Sequence, residues 1–372
     1  MKTVIIIGGG AAGLFAASQL NFDNIRVVLI EQNAKLGKKL LATGNGRGNI
    51  SNLAIDQSSF YNGDRFLDDI RSFDAPGEFE KLGMPVRFDN NLVYPYSNSA
   101  KTVLDAFMMN MDRVEIMLET QVVSVVKKDR YHVNTNRGEF FGDFVINATG
   151  SIAGGYNPIL ESLNDSLPVK VNPWRPVLVM LKTKPVYPQL KGVRVKAKVS
   201  LFVDNREVTW RIGEVLFNDT GLSGICIMEL SRYCCEYANA KVEVVVDLLP
   251  NYSKDQAYRM HQDHLERFGD DYRKLIFTSK LADVLKNQGI TDYKNFRFAI
   301  TGTLDYKRAQ VMRGGVDLDD INDDFSLKSW PHYYIIGEAL DVDGDCGGYN
   351  LHFAFTSAKK ASQAILEAVK NA

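Results

Sequence analysis

Cysteine is scarce. The 372 residues contain four thiols, Cys226, Cys234, Cys235 and Cys346, and no two of them form a C-x-x-C pair. That absence excludes dithiol redox chemistry and zinc-ribbon folds, and leaves buried thiols in a reducing compartment as the expectation. An excess of one charge is also missing. Lys and Arg number 44 against 45 Asp and Glu, for a formal net charge of -1, and no block of like charges occurs. Such a balance argues against a polyanionic partner such as bulk nucleic acid. No apolar run reaches the roughly 18 residues needed to span a membrane. The apolar N-terminus resembles a secretory signal only briefly, because Gly8, Gly9 and Gly10 interrupt it. These absences point to a cytoplasmic chain of two or three domains, with 45% hydrophobic residues to build its cores.

What is present is glycine, clustered near both ends. Val4–Ile7 is a continuous apolar run, as a parallel strand buried on both faces requires. It enters Gly8-Gly9-Gly10-Ala11-Ala12-Gly13. In a G-x-G-x-x-G turn Gly8 permits the tight bend, Gly10 lets a pyrophosphate approach the backbone, and Gly13 lets the following helix pack closely. That helix directs its first N–H groups at the phosphates. Arg26–Ile30 is a second apolar strand, closed by Glu31, whose carboxylate suits the hydroxyls of an adenosine ribose. An ADP-containing dinucleotide follows, with FAD and NAD both open. The next segment, Asn33–Asn52, is rich in Gly, Asn, Thr and Ser and carries Lys38, Lys39 and Arg47. Such a loop can wrap a large polar ligand such as a flavin with its ribityl chain. Asp143–Ser151 is a strand that ends in Ala148-Thr149-Gly150, and a strand over Gln121–Val126 can offer backbone groups to an adenine edge.

The middle of the chain has another period. Val193, Val195, Ala197, Val199 and Leu201 alternate with Arg194, Lys196, Lys198 and Ser200, the pattern of a half-buried antiparallel strand. A β-sheet or barrel is expected over Pro185–Pro250, with strands returning at Phe296–Leu304 and Ala309–Val316. Between them, Ser253 and Gln256 form a capping box that opens a helical insert reaching about Gln288. His261 and His264 lie on that helix. No third ligand has suitable spacing, so no metal is expected.

At this level the chain resembles the FAD-binding domain of the glutathione-reductase-like superfamily. More narrowly, it resembles the bacterial flavoproteins labelled BaiN-like, HI0933-like or aminoacetone-oxidase-like. The segments that carry the resemblance are GKKLLATGNGRGNISN, LVYPYSNSAKTV, GEVLFNDTGLSG, AQVMRGGVDLDDIN and GEALDVDGDCGGYNL, in order along nearly the whole chain. The resemblance implies an α/β fold. A Rossmann-like FAD domain over 1–184 and 325–372 would carry an inserted antiparallel β-sheet or barrel over 185–250 and 296–324, with a helical subdomain over 251–295. It implies non-covalent FAD, held by both ends of the chain. From the N-terminal half the contacts would be Gly8, Gly10, Ala11, Ala12, Gly13, Glu31, Gln32, Lys38, Lys39, Thr43, Gly44, Gly46, Arg47, Asn49 and Asn52. Val123, Ala148, Thr149 and Gly150 would follow, and the C-terminal turn would add Gly337, Glu338, Gly347, Gly348, Tyr349, Asn350 and Leu351.

Four departures from the family pattern lie on the side that should face substrate or flavin. Gly48 stands where the family usually has cysteine, Asp219 stands for histidine, and Met312 stands for threonine. The loop after Gly150 passes directly to Gly154-Gly155-Tyr156. The implied activity is an FAD-dependent oxidoreductase, either reducing an activated C=C bond or oxidising a small amine. A non-catalytic flavin sensor is the alternative. Only one dinucleotide fingerprint is present, so NADH or NADPH could serve as electron donor only by visiting the flavin. Catalytic candidates are Arg313, Asp219, Arg47 and His352. The expected partner is a small molecule, with no nucleic acid and no membrane.

Overall fold

The computed structural model describes residues 1–155, 157, 166–234, 236–237 and 240–371; Tyr156 and Cys235 lie outside the described residues. The chain divides into two compact units, Met1–Trp174 with Met312–Ala372, and Arg175–Val311. Met312 and Arg313 therefore belong to the first unit, although the sequence pattern groups them with the β-rich insert.

The first unit is an α/β Rossmann-like domain. Its parallel sheet runs in the order Tyr333–Ile335, Phe144–Asn147, Lys2–Ile7, Ile25–Ile30, Glu115–Met117. Val4 to Ile7 are fully buried, which explains their uninterrupted apolar run. Register matters most here. Ile7 lies opposite both Ile30 and Asn147, and Asn147 lies opposite Ile335. Four strands thus end level at one edge, and the chain leaves each of them into a segment singled out above. Ligands of open α/β sheets bind in this crevice. The helices Ala11–Gln19 and Tyr349–Lys370 pack together, and Phe15, Phe79, Phe107 and Phe355 interlock at their contact.

The second unit is built on a closed antiparallel barrel. Its strands are Leu181–Lys184, Gly221–Ser223, Arg206–Phe217, Arg194–Val203, Val242–Asp247 and Phe296–Thr303, in that order. Ala197, Val199 and Leu201 point into its core as the alternation predicts. The capping box forms as expected, with the Ser253 side chain accepting from Gln256 N and the Gln256 side chain accepting from Ser253 N. Val311–Val316, expected to return to this sheet, instead pairs with Val171–Val177 in a separate two-stranded sheet. His261 is buried, with its Nδ1 hydrogen-bonded to the Tyr272 hydroxyl, which meets the hydroxyl of Tyr293.

Candidate cofactor site

The glycines of the first turn are required for different reasons. Gly8 has φ +106, and a Cβ there would lie 2.5 Å from Ala148 O. A Cβ on Gly13 would collide with Gly8 O. Both positions are closed by the protein's own backbone. Gly10 is the opposite: it is the N-cap of Ala11–Gln19 at φ -85, and a Cβ there would meet nothing within 4 Å. Open space therefore lies beside the N-cap of that helix, the end at which an anion is favoured.

Glu31 is buried, and its carboxylate accepts from Gly9 N at 2.8 Å, Asn33 N at 2.7 Å and Asn33 Nδ2 at 2.6 Å. It therefore fixes the glycine turn as well as facing the crevice. Gln32 Nε2 donates to Asn157 Oδ1, and Asn157 Nδ2 donates to Thr149 O, joining the segments that leave Ile25–Ile30 and Phe144–Asn147. Asn147, which sequence reasoning passed over, accepts from both Thr149 N and Thr149 Oγ1. A fully apolar strand that ends in a buried asparagine was the available signal. Gly150 follows at φ +71 with open space at its Cβ position. Val123 falls at a register shift between Val122 and Ser124, outside the ladder with the neighbouring strand. A bulged residue leaves its backbone groups unpaired.

The loop after Glu31 bends through successive left-handed residues, Gly44, Asn45, Gly46 and Gly48. Thr43 Oγ1 turns back to Leu40 O. Lys38 is exposed. Lys39 forms an ion pair with Glu338, whose other oxygen accepts from Met312 N. The two ends of the chain are thereby tied. Asn49 is buried, and its Oδ1 has no hydrogen-bond partner. It lies where a Cβ on Gly348 would come within 3.0 Å. A buried acceptor without a donor is rare and implies an absent ligand group or water.

The C-terminal turn is mostly occupied with holding itself. Gly337 N donates to Ser357 Oγ. Asn52 Nδ2 donates to Gly347 O, and the Tyr349 hydroxyl donates to Ala54 O. The Asn350 amide spans Gly344 N and Gly344 O. Gly348 is the left-handed N-cap of the last helix, and Leu351 lies in its first turn.

Each catalytic candidate has a defined place. His352 is 1% exposed, with Nδ1 2.7 Å from Ser51 Oγ and Nε2 2.7 Å from Ile70 O. Nε2 must donate to the carbonyl, so Nδ1 accepts from the serine, and burial holds the imidazole below its ordinary pKa. Both nitrogens are committed within the protein. Arg313 is 8% exposed, not a solvated charge. Its Nε donates to the fully buried Asp343 at 2.9 Å, and its guanidinium lies 3.8 Å from the centroid of the Tyr61 ring. Asp343–Gly344 pairs with Phe60–Tyr61, so Arg313 touches both strands of that ribbon. The following Gly314 and Gly315 are required by the protein's own backbone, since a Cβ on either would approach Pro173 O or Ala339 O. Gly314 N donates to Asp341, whose carboxyl is pushed up chiefly by burial. Asp219 is exposed in the second unit, and Lys191 beside it holds its carboxyl below the usual range. Arg47 is exposed on the glycine loop.

The donor set fits FAD. The open space at Gly10 suits a pyrophosphate, the bulge at Val123 leaves backbone for an adenine, and the unpaired Asn49 Oδ1 suits a hydroxyl or N–H donor. Among the described residues no helix is long and apolar enough to cross a membrane.

Comparison with known proteins agrees with this geometry. The model of the HI0933-like protein Rossmann domain matches residues 2–364. The 3-dehydro-bile acid delta(4,6)-reductase of Clostridium scindens is 30% identical over 407 positions, covering 99% of this chain and 100% of that protein. The ribosomal RNA dihydrouridine synthase of Escherichia coli is 26% identical over 406 positions, covering 98% of each. Among solved structures, the 3-ketosteroid delta1-dehydrogenase of Sterolibacterium denitrificans, bound to 1,4-androstadiene-3,17-dione, superposes with a TM-score of 0.51 at 11% identity, covering 99% of this chain and 100% of that one. That last likeness is one of fold. With a family match over nearly its whole length and a full-length relative at 30% identity, the chain belongs to the HI0933-like family of FAD-binding oxidoreductases.

Proposed function

We propose that this enzyme uses FAD to saturate a C=C bond conjugated to a carbonyl group in a small organic substrate. The observation that carries the reaction class is a bond type shared by two full-length relatives. One is named for reducing the delta(4,6) bonds of a 3-dehydro-bile acid, the other for making dihydrouridine, which is uridine with its C5–C6 bond saturated. In both, the double bond is conjugated to a carbonyl. The alternative of amine oxidation has no observation in its favour. Met312, which stands where the family usually has threonine, is 2% exposed and shapes no surface.

When bound and reduced, with NADH or NADPH as the candidate donor, FAD would supply a hydride to the alkene, and solvent the proton that completes saturation. The chain's own residues bind and orient. The Ala11–Gln19 N-terminus receives the pyrophosphate, Glu31 the adenosine ribose, and Asn49 a donor of the cofactor. The Lys39–Glu338 pair fastens the loop over it. Arg47 is the candidate to face substrate. Arg313 acts as a positioning residue for the Asp343–Gly344 ribbon, and His352 locks the last helix to Ser51 and Ile70. The near-neutral charge supports a free small molecule over nucleic acid.

The test is anaerobic. Bound flavin is reduced with NADPH or NADH and mixed in turn with a steroid enone, a uridine-containing RNA, an imine and oxygen. Reoxidation by the enone, with the saturated product recovered, is expected. Reoxidation by oxygen alone, with flavin reduction by an amine, would replace this reading with oxidase chemistry. Reoxidation by the RNA alone would keep the reaction and replace the substrate.

A further inference from the structure

Two paired strands carry the chain between the units. It leaves the first unit along Val171–Val177 and re-enters it along Val311–Val316. The boundary between the units falls after Trp174 on one strand and after Val311 on the other. Whatever holds this ribbon therefore holds the covalent tether of the barrel.

Just inside the boundary, three consecutive residues each bond a different carboxylate of one short segment. Met312 N donates to Glu338 Oε1 at 3.2 Å, Arg313 Nε to Asp343 Oδ2 at 2.9 Å and Gly314 N to Asp341 Oδ1 at 2.9 Å. Asp341 is 4% exposed, and its second oxygen accepts from Asn172 Nδ2 on the paired strand at 2.8 Å, so it bolts the two strands together. Glu338 is different. Its second oxygen pairs with Lys39 Nζ, 299 positions away on the Asn33–Asn52 loop of the cofactor site. The Lys39 side chain is 48% exposed and that of Glu338 19%, so the pair is partly screened and modest in energy. Its importance is positional. One carboxylate has one oxygen on the cofactor loop and the other on the first residue of the returning strand inside the unit. The loop is shaped by four left-handed residues, Gly44, Asn45, Gly46 and Gly48, and glycine gives up the most freedom when it is fixed. A ligand wrapped by the loop supplies that fixing.

We propose that Glu338 is a positioning residue that carries cofactor loading to the ribbon between the units. Once the loop is fixed around FAD, Lys39 is held, and Lys39 through Glu338 holds the Met312 N–H in place. The tether of the barrel is then stiffest in loaded protein. The coupling concerns the cofactor and is independent of which substrate the enzyme reduces.

The test is amide hydrogen exchange, resolved at Met312 and Gly314, without FAD and with FAD in excess. Gly314 is the internal control, because Asp341 and not Glu338 holds its N–H. In wild type, loading is expected to slow Met312 about fivefold more than Gly314, as a half-exposed ion pair allows. E338Q keeps an acceptor for Met312 N but not the charge, and K39M removes the cation. In both, with excess FAD keeping the protein loaded, the difference between Met312 and Gly314 should vanish. In Glu338→Ala, Met312 should exchange fast in both states. Equal slowing of Met312 and Gly314 in wild type would mean general stabilisation by FAD and would overturn the relay. A difference that survives in either K39M or E338Q would overturn it as well. The flavin spectrum of the same samples shows whether FAD is bound, so a wild type that binds none would contradict the cofactor assignment itself.

Discussion

The two glycine turns of the first unit differ in what their polar groups do. Both follow parallel strands that end level with each other, and both open a helix. At Gly8–Gly13 the space around Gly10 is open, while Gly8, Gly9 and Gly13 are closed by neighbouring backbone, Leu36 and Glu31. At Gly337–Asn350 nearly every polar side chain is spent on the protein itself: Asn52, Tyr349, Asn350, His352 and Arg313 all bond within the fold. A ligand site made of backbone needs only glycines and a helix. A site held by a long C-terminal loop needs a clasp. A substitution at Gly10 should act mainly through the cofactor; substitutions at the closed positions of the first turn, and throughout the second, should act mainly through stability.

The largest effect expected is therefore in the clasp. Arg313→Ala leaves the fully buried Asp343 without its guanidinium and should cost about 3–5 kcal/mol in urea unfolding. A paired replacement of Arg313 and Asp343 by Met and Leu should recover most of that loss. Unchanged stability in the single variant would dissolve the contrast between the turns. Next is Gly13→Ala, where the new methyl meets Gly8 O; a loss of about 3 kcal/mol is expected for overpacking against backbone. Glu31→Ala strands the N–H groups of Gly9 and Asn33, and should cost about 1–3 kcal/mol even in cofactor-free protein. A variant that binds FAD weakly yet unfolds like wild type would show that Glu31 serves the ribose alone.

A smaller, pH-dependent term comes from His352. Its imidazole is held below the ordinary value by burial, so below about pH 6.5 the unfolded chain binds a proton that the folded chain refuses. Stability should fall as pH drops through that window, by at most about 1.4 kcal/mol per pH unit for this group. His352→Gln should flatten the fall. His261 in the second unit is shifted the same way, also chiefly by burial, so the double variant should flatten it further. The smallest effect belongs to Asp219→Asn. Its pair with Lys191 is solvent-exposed, and thermal unfolding should be indistinguishable from wild type.

Much of this was legible in the residues. The apolar runs Val4–Ile7 and Arg26–Ile30, the alternation at Val193–Leu201 and the Ser253–Gln256 box each have one period or cap, and each folds accordingly. Roles of charged side chains were not legible. Arg313 next to two glycines suggests a ligand contact, but the glycines admit Pro173 and Ala339 backbone and the arginine admits Asp343. His352 on the last helix suggests a catalytic imidazole, yet its partners, Ser51 and Ile70, lie about three hundred residues away along the chain. Such partnerships depend on tertiary contacts that no local period encodes. Val311–Val316 failed for a related reason: an apolar strand carries no mark of which sheet it joins.

The central claim is that backbone at Gly10 receives the cofactor. The direct measurement is flavin content of purified Gly10→Val protein, with far-UV circular dichroism as the fold control. Wild type should release stoichiometric FAD, not FMN, into an acid supernatant. Gly10→Val should fold, because a Cβ there meets nothing within 4 Å, and should be colourless, because that space belongs to the pyrophosphate. A folded Gly10→Val protein that retains FAD would contradict the account.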